Sequence, residues 1–392
     1  MNLIKLSWKN LINKPLTSFL SLLLLTLGVG LISFILVTTT QMQQRFEKNI
    51  QGIDMVVGAK GSPLQLILSA VFQIDNPTGN IPASEALKLE RNRYVGNVIP
   101  LSYGDSYQGY RIVGTEKDYL DLYGATLSAG KAWDEEMEVV VGADLARILE
   151  LKVGDSFESA HGLSSEGEVH EQHPFTITGI LNKNNSVLDK LILTSTESIW
   201  HVHNYDGPSG EEKQVTALLV EFSSPMGMVQ LPRFINQNTN FQAAIPAFEV
   251  NRLLGLMDTG LETLYILAFV IIMVSGLSVF ISLYNSLKER RYELALMRSY
   301  GASRRQLAVS LIMESLFLSV SGFIFGIFIS RLGTVFLNSY LSSSAALDMS
   351  LVFISPKEFV LLPVSLVIGV LAALLPAIEI YRINISRVLS EG

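Results

Sequence analysis

The 392-residue sequence contains no cysteine, which excludes thiol nucleophiles, disulfide staples and thiolate metal sites. It also lacks a phosphate-cradling loop. The nearest approach, Gly124 to Ala132, has five residues between its glycines and ends in alanine, where four spacers and a final Ser or Thr are needed. A Gly-x-Ser-x-Gly nucleophile elbow and a His-Glu-x-x-His zinc helix are missing too. The chain is therefore read as carrying no ATPase of its own, any ATP hydrolysis being expected from a partner subunit. Charge is absent over long stretches. None falls between Leu16 and Gln44, between Thr263 and Leu287, or between Phe359 and Ile378, and only Glu314 falls between Gln306 and Ser330.

About 20 apolar residues suffice to cross a bilayer as a helix, the conformation that satisfies backbone groups where no water reaches. These runs therefore predict four transmembrane helices. The first is too long for a secretory signal core of roughly 7 to 15 residues, and no small-residue cleavage site follows it. It is expected to be a retained anchor.

Cations collect beside the spans: Lys5, Lys9 and Lys14; Lys288, Arg290, Arg291, Arg298, Arg304 and Arg305; and Arg382 and Arg387. The positive-inside rule puts all three groups in the cytoplasm. Residues 41–260 hold 28 acids and 16 bases, net −12, against +5 for the remainder. An acidic domain of some 220 residues is thus expected outside, large enough for one or two cores. Its charge argues against nucleic acid as a partner.

The expected order is a cytoplasmic entry helix (1–15), spans at 16–40, 261–287, 306–330 and 357–381, and an extracytoplasmic domain (41–260). A cytoplasmic segment (288–305), a short outer loop (331–356) and a cytoplasmic tail (382–392) complete it. Short β-branched runs at Asp54–Gly58, Tyr110–Gly114, Glu138–Gly142, Phe175–Leu181, Lys190–Thr194 and Val215–Phe222 read as strands. Asp144–Leu151 and Pro82–Glu90 read as helices. The fold class is thus a four-helix membrane domain with a large α+β domain inserted between helices one and two.

Three further features stand out. All five histidines, His161, His170, His173, His201 and His203, fall within 43 residues. Clustered imidazoles are zinc ligands, and His-x-His at 201 and 203 would share one strand face. A solvated polar loop is the alternative. Leu64, Ile67, Leu68, Val71 and Phe72 recur at helical spacing just outside the first span. They form either a lipid- or substrate-facing element or an ordinary core helix. Gly322 and Gly326, like Gly28 and Gly30, suit close helix packing.

The segment Arg290 to Ser315, RRYELALMRSYGASRRQLAVSLIMES, the closing LLPAIEIYRINISRVL, the stretch from Val139 to Asp155 and the opening LSWKNLINKPLTSFLSLLLLTLGVGL together carry a resemblance. In that order they resemble the permease domain of MacB/FtsX/LolC-type ABC transporters, the type VII or mechanotransmission class. Pro15-Leu16 departs from the basic residue that the family often has there. The resemblance implies a permease of the bacterial cytoplasmic membrane with both termini inside, working as a homo- or heterodimer. Two copies of a separate ATP-binding subunit would bind the ATP and magnesium. Membrane lipid and a periplasmic or outer-membrane protein are further implied partners.

The resemblance also implies that Arg290, Arg291, Glu293, Leu294, Met297, Arg298, Gly301 and Ala302 dock that subunit. Helical spacing would place Leu294, Met297 and Arg298 on one face, with Gly301 ending the helix in a left-handed conformation. A basic loop that merely fixes topology or touches anionic lipid is the alternative. Glu314 is expected to pair with a nearby arginine such as Arg298, or else to handle substrate or protons. Three functions compete: extrusion or extraction of a hydrophobic or lipidated substrate, regulation of an external cell-wall hydrolase or assembly without transport, and metal sensing.

Overall fold

The computed structural model describes residues 3–13, 15–162, 174–203, 212–341 and 355–382. It divides into a helical unit, built from both ends of the sequence, and an α+β unit formed by Gln43–Leu256.

In the helical unit a short helix, Leu3–Asn13, precedes four long ones: Pro15–Ile50, Pro246–Glu289, Arg304–Leu341 and Leu361–Arg382. Each of the four is long and apolar enough to cross a membrane. At about 1.5 Å per residue the 44-residue second helix is about 66 Å long. A hydrocarbon core is only about 30 Å thick. The helices accordingly run past the expected limits, the first to Ile50 and the second from Pro246. The first and third helices cross where a Cβ on Gly30 would lie 3.1 Å from the carbonyl oxygen of Gly326. Only a residue without a side chain lets the backbones approach that closely. Leu25 and Val29 fill the rest of the crossing.

The α+β unit has two principal sheets. One is antiparallel, in the order Phe241–Ala244, Met55–Ala59, Ala217–Phe222, Val95–Leu101. Its inward residues Met55, Val57, Leu218 and Val220 pack with Leu231 and Ile235 of the helix Met226–Asn238. The second sheet is mixed. Phe175–Leu181 runs parallel to Glu138–Val141, and Ile192–Ser195 runs parallel to Tyr110–Thr115. Val139, Val141, Phe175, Ile177 and Ile192 form a separate core there. A bridge between Ser102 and Gly114 joins the sheets.

Three sequence expectations change. The segment with Leu64, Ile67, Leu68, Val71 and Phe72 folds as a core helix, Pro63–Ala70, capped by Ser62. Ile67, Val71 and Phe72 are fully buried, and Phe72 meets Phe46 edge-on at 5.0 Å. Burial excludes the lipid- or substrate-facing reading for Ile67, Val71 and Phe72, whereas Leu64 and Leu68 are half-buried. Residues 82–90 form one α-turn, Ala83–Ala86, and then a 3-10 turn, Leu87–Arg91. His201 lies on a helix, Thr196–Val202, and not on a strand.

Candidate functional site

Between the second and third long helices lies a nine-residue helix, Arg291–Ser299. Arg290 precedes it and pairs with Glu293 at 3.0 Å. Its end is set by Gly301, whose φ of +97° only glycine adopts without strain. The amides of Gly301 and Ala302 donate to the carbonyls of Arg298 and Met297, each at 3.0 Å. This pair of bonds is a Schellman stop. Ser303 and Gln306 then exchange bonds with each other's backbone amides, a capping box that starts the next helix.

Burial corrects the face expected to dock. Ala295 is fully buried, and Leu294, Met297 and Ala302 are partly buried against the core cluster of the same unit that holds Leu287, Leu307 and Leu311. The face turned outward instead carries Arg291, Tyr292, Glu293, Leu296 and Tyr300. Periodicity identified an amphipathic helix, but could not say whether its apolar side met a partner or its own bundle.

Glu314 is 2% exposed. The side-chain amide of Asn10 donates to its Oε1, and Arg290 Nη1 stands 3.8 Å from the same atom. Arg290 is thus a partner of Glu314. One turn earlier, Ser7 Oγ donates to the Ser310 carbonyl at 3.0 Å, and Trp8 packs edge-on against Phe317. Glu314 therefore sits where the entry helix, the third span and the base of the short helix converge.

A second buried acid escaped sequence reading. Glu358, also 2% exposed, accepts from Arg331 Nη2 at 2.8 Å, from Ser33 Oγ at 2.5 Å and from the Ser355 amide at 2.9 Å. Its signal was Ser355-Pro-Lys-Glu358, a capping box ahead of an apolar run. Counted along the third helix, Arg331 lies about 26 Å from Glu314 at about 1.5 Å per residue.

The histidines separate. His170 and His173 lie outside the described residues. His201 is exposed, 3.3 Å from Glu136, while His203, two positions on, turns the other way to meet buried Asp105 at 3.3 Å. A helix places such residues on opposite faces. His161 lies on a two-residue strand, Ala160–His161, opposite Asp105. Among the described residues no group of three metal-ligating side chains gathers. His203, Asp105, Trp200, Tyr103 and Arg111 line a cavity of about 380 Å³. Burial pushes the Tyr103 hydroxyl up to about 12 and lowers Arg111, which Gln73 and the carbonyls of Ser69 and Asp75 hold in place.

Compared with protein families, residues 18–230 match the MacB-like periplasmic core domain, over half of the chain, and residues 265–385 match the FtsX-like permease C-terminal domain. No curated protein matches the sequence. Among solved structures, the periplasmic region of MacB from Actinobacillus actinomycetemcomitans is 15% identical, covering 54% of this chain and 98% of its own, with a TM-score of 0.35. The extracellular domain of the ABC-type transporter YknZ from Gram-positive bacteria is 12% identical, covering 48% and 98%, with a TM-score of 0.31. With a family model spanning each unit, and four apolar helices around an inserted α+β domain, the chain belongs to the MacB/FtsX family of ABC transporter permeases: it is a membrane component with an extracytoplasmic domain that partners an ATP-binding subunit.

Proposed function

We propose that this permease couples ATP hydrolysis on a separate subunit to motion of its extracytoplasmic domain, and so extrudes or extracts a hydrophobic or lipidated substrate. The observation that carries the reading is the short helix Arg291–Ser299, anchored by Leu294, Ala295 and Met297 and offering Tyr292, Leu296 and Tyr300 outward. Aromatic and aliphatic side chains standing out from a rigid, capped helix suit a groove on the ATP-binding subunit, with Arg291 and Glu293 as the polar rim.

Motion imposed there has a direct route. Arg290 links the base of the helix to Glu314, and Glu314 to Asn10 of the entry helix. The first and second long helices, Pro15–Ile50 and Pro246–Glu289, are each unbroken over their whole length. Four spans enclose too little for a channel, so two permease chains and two ATP-binding subunits form the working unit, with the docking helices and both termini in the cytoplasm of the inner membrane. On the α+β unit, Met228, Val229 and Phe234 stand exposed on one helix and suit an apolar client.

The test is co-capture. A tagged full-length permease, expressed with its ATP-binding subunit, is expected to retain that subunit in detergent. Leu296→Asp is expected to lose it while inserting normally. Full retention by Leu296→Asp would overturn the docking assignment.

A further inference from the structure

We propose that the cavity of about 380 Å³ in the α+β unit binds a small organic carboxylate, gripped by the guanidinium of Arg111 and the hydroxyl of Ser102. The inference is independent of the coupling reading.

Arg111 is 6% exposed and lines that cavity. A buried cation is costly unless an anion compensates it. Its acceptors are all neutral: Nη1 donates to Gln73 Oε1 at 3.0 Å and to the Ser69 carbonyl at 3.3 Å, and Nη2 donates to the Asp75 carbonyl at 2.9 Å. These bonds leave part of the five-donor guanidinium fork for a ligand. Asp75 itself is exposed, and its carboxylate accepts from the Asn76 amide at 2.7 Å. Tyr103, whose ring centroid lies 5.0 Å from the guanidinium carbon, brings no negative charge, because burial pushes its hydroxyl up to about 12. Among the described residues no carboxylate forms an ion pair with Arg111.

Ser102 points to a ligand independently. It is 2% exposed, lines the same cavity, and its hydroxyl has no hydrogen-bond partner among the described residues. Its backbone is committed on both sides: the amide donates to the Gly114 carbonyl at 2.8 Å, and the carbonyl accepts from the Gly114 amide at 2.9 Å. That bridge joins the two sheets and fixes where the hydroxyl stands. A buried hydroxyl left unpaired is unfavourable. A carboxylate oxygen in the cavity would accept from it.

The volume falls within the roughly 300–1,000 Å³ of small-molecule sites. Trp200 supplies an apolar wall: its Nε1 donates to the Gln214 carbonyl at 2.7 Å, which holds the ring, and Lys213 Nζ stands 4.8 Å from the ring centroid. Charge selects the class of anion. Asp105, on the same wall, is met by His203 at 3.3 Å and by Ser159 at 2.9 Å, and would repel a second negative charge. A planar monoanion therefore suits the single guanidinium better than a doubly charged phosphate does.

The experiment titrates the full chain in detergent with sodium benzoate, followed by ligand-observed NMR. Benzamide, of the same shape without the charge, is the control, and inorganic phosphate is the competing anion. Wild type is expected to bind benzoate saturably and about tenfold or more tighter than benzamide, and phosphate is expected not to displace it. Ser102→Ala is expected to weaken benzoate about fivefold or more without lowering the unfolding temperature, since its hydroxyl has no partner to lose. Arg111→Lys, which keeps the charge but not the fork, is expected to weaken it about tenfold. Arg111 also holds Gln73 in place, so Ser102→Ala carries the test if the arginine variant does not fold. The proposal is overturned if wild type shows no saturable benzoate binding, if benzamide binds equally well, if phosphate displaces benzoate at equal concentration, or if Ser102→Ala binds benzoate like wild type.

Discussion

Two glutamates in the helical unit are equally buried, and each ties different elements together. Glu358 is saturated: a guanidinium at 2.8 Å, a serine hydroxyl and its own capping box hold both oxygens. Glu314 shares one oxygen between Asn10 and an arginine at 3.8 Å. A charge in an apolar interior is costly unless well paired. Glu358 thus reads as a fixed staple between the first, third and fourth helices. Glu314 joins the entry helix, through Asn10, to the base of the docking helix, through Arg290. About 26 Å separates Glu314 from Arg331 along the helix at about 1.5 Å per residue, close to the thickness of a hydrocarbon core of about 30 Å. One end of the bundle is clamped, and the other is connected to the proposed motor.

The contrast can be broken by mutation. The largest effect is expected from Arg331→Ala, which strands Glu358 and is expected to cost about 3–5 kcal/mol. Thermal unfolding of the purified chain would show it, and Glu358→Gln should recover part of the loss because the Ser33 and Ser355 donors persist. Next comes Leu296→Asp, expected to weaken association with the ATP-binding subunit by about 2 kcal/mol or more, roughly 30-fold, with unfolding unchanged. Met297→Asp should do the reverse and lower the unfolding temperature, since it sets a charge against the bundle's apolar core cluster. The smallest change in stability is expected from Glu314→Gln, which keeps an acceptor for Asn10 but removes the attraction to Arg290. It is expected to depress permease-stimulated ATP hydrolysis about tenfold, and unchanged stimulation would remove Glu314 from the coupling route.

Much of the architecture was legible because it depends on composition and period. Four apolar runs, three of them without a charge, became four long helices, and strands such as Met55–Ala59 and Phe175–Leu181 announced themselves by β-branched residues closed with glycine or polar residues. Val95–Leu101 did not, because Gly96, Asn97 and Pro100 interrupt its pattern. It is a strand because Ala217–Phe222 pairs along it. The site was legible to the level of a helix but not of a face. Leu294, Leu296 and Met297 are similar in chemistry and adjacent in sequence, and only the packing of Leu307 and Leu311 decides which point inward. The histidines failed differently. Spacing in sequence suggested that 201 and 203 act together, whereas the helix separates them and strand pairing brings Asp105 to His161.

The central claim, that the outward face of Arg291–Ser299 receives the ATP-binding subunit, is tested most directly by site-specific photo-crosslinking. A photoreactive residue is placed at 296 or at 297 in the full-length permease expressed with that subunit. The account predicts a crosslink to the ATP-binding subunit from 296 and only within the permease from 297. A crosslink from 297 but not from 296 would contradict it.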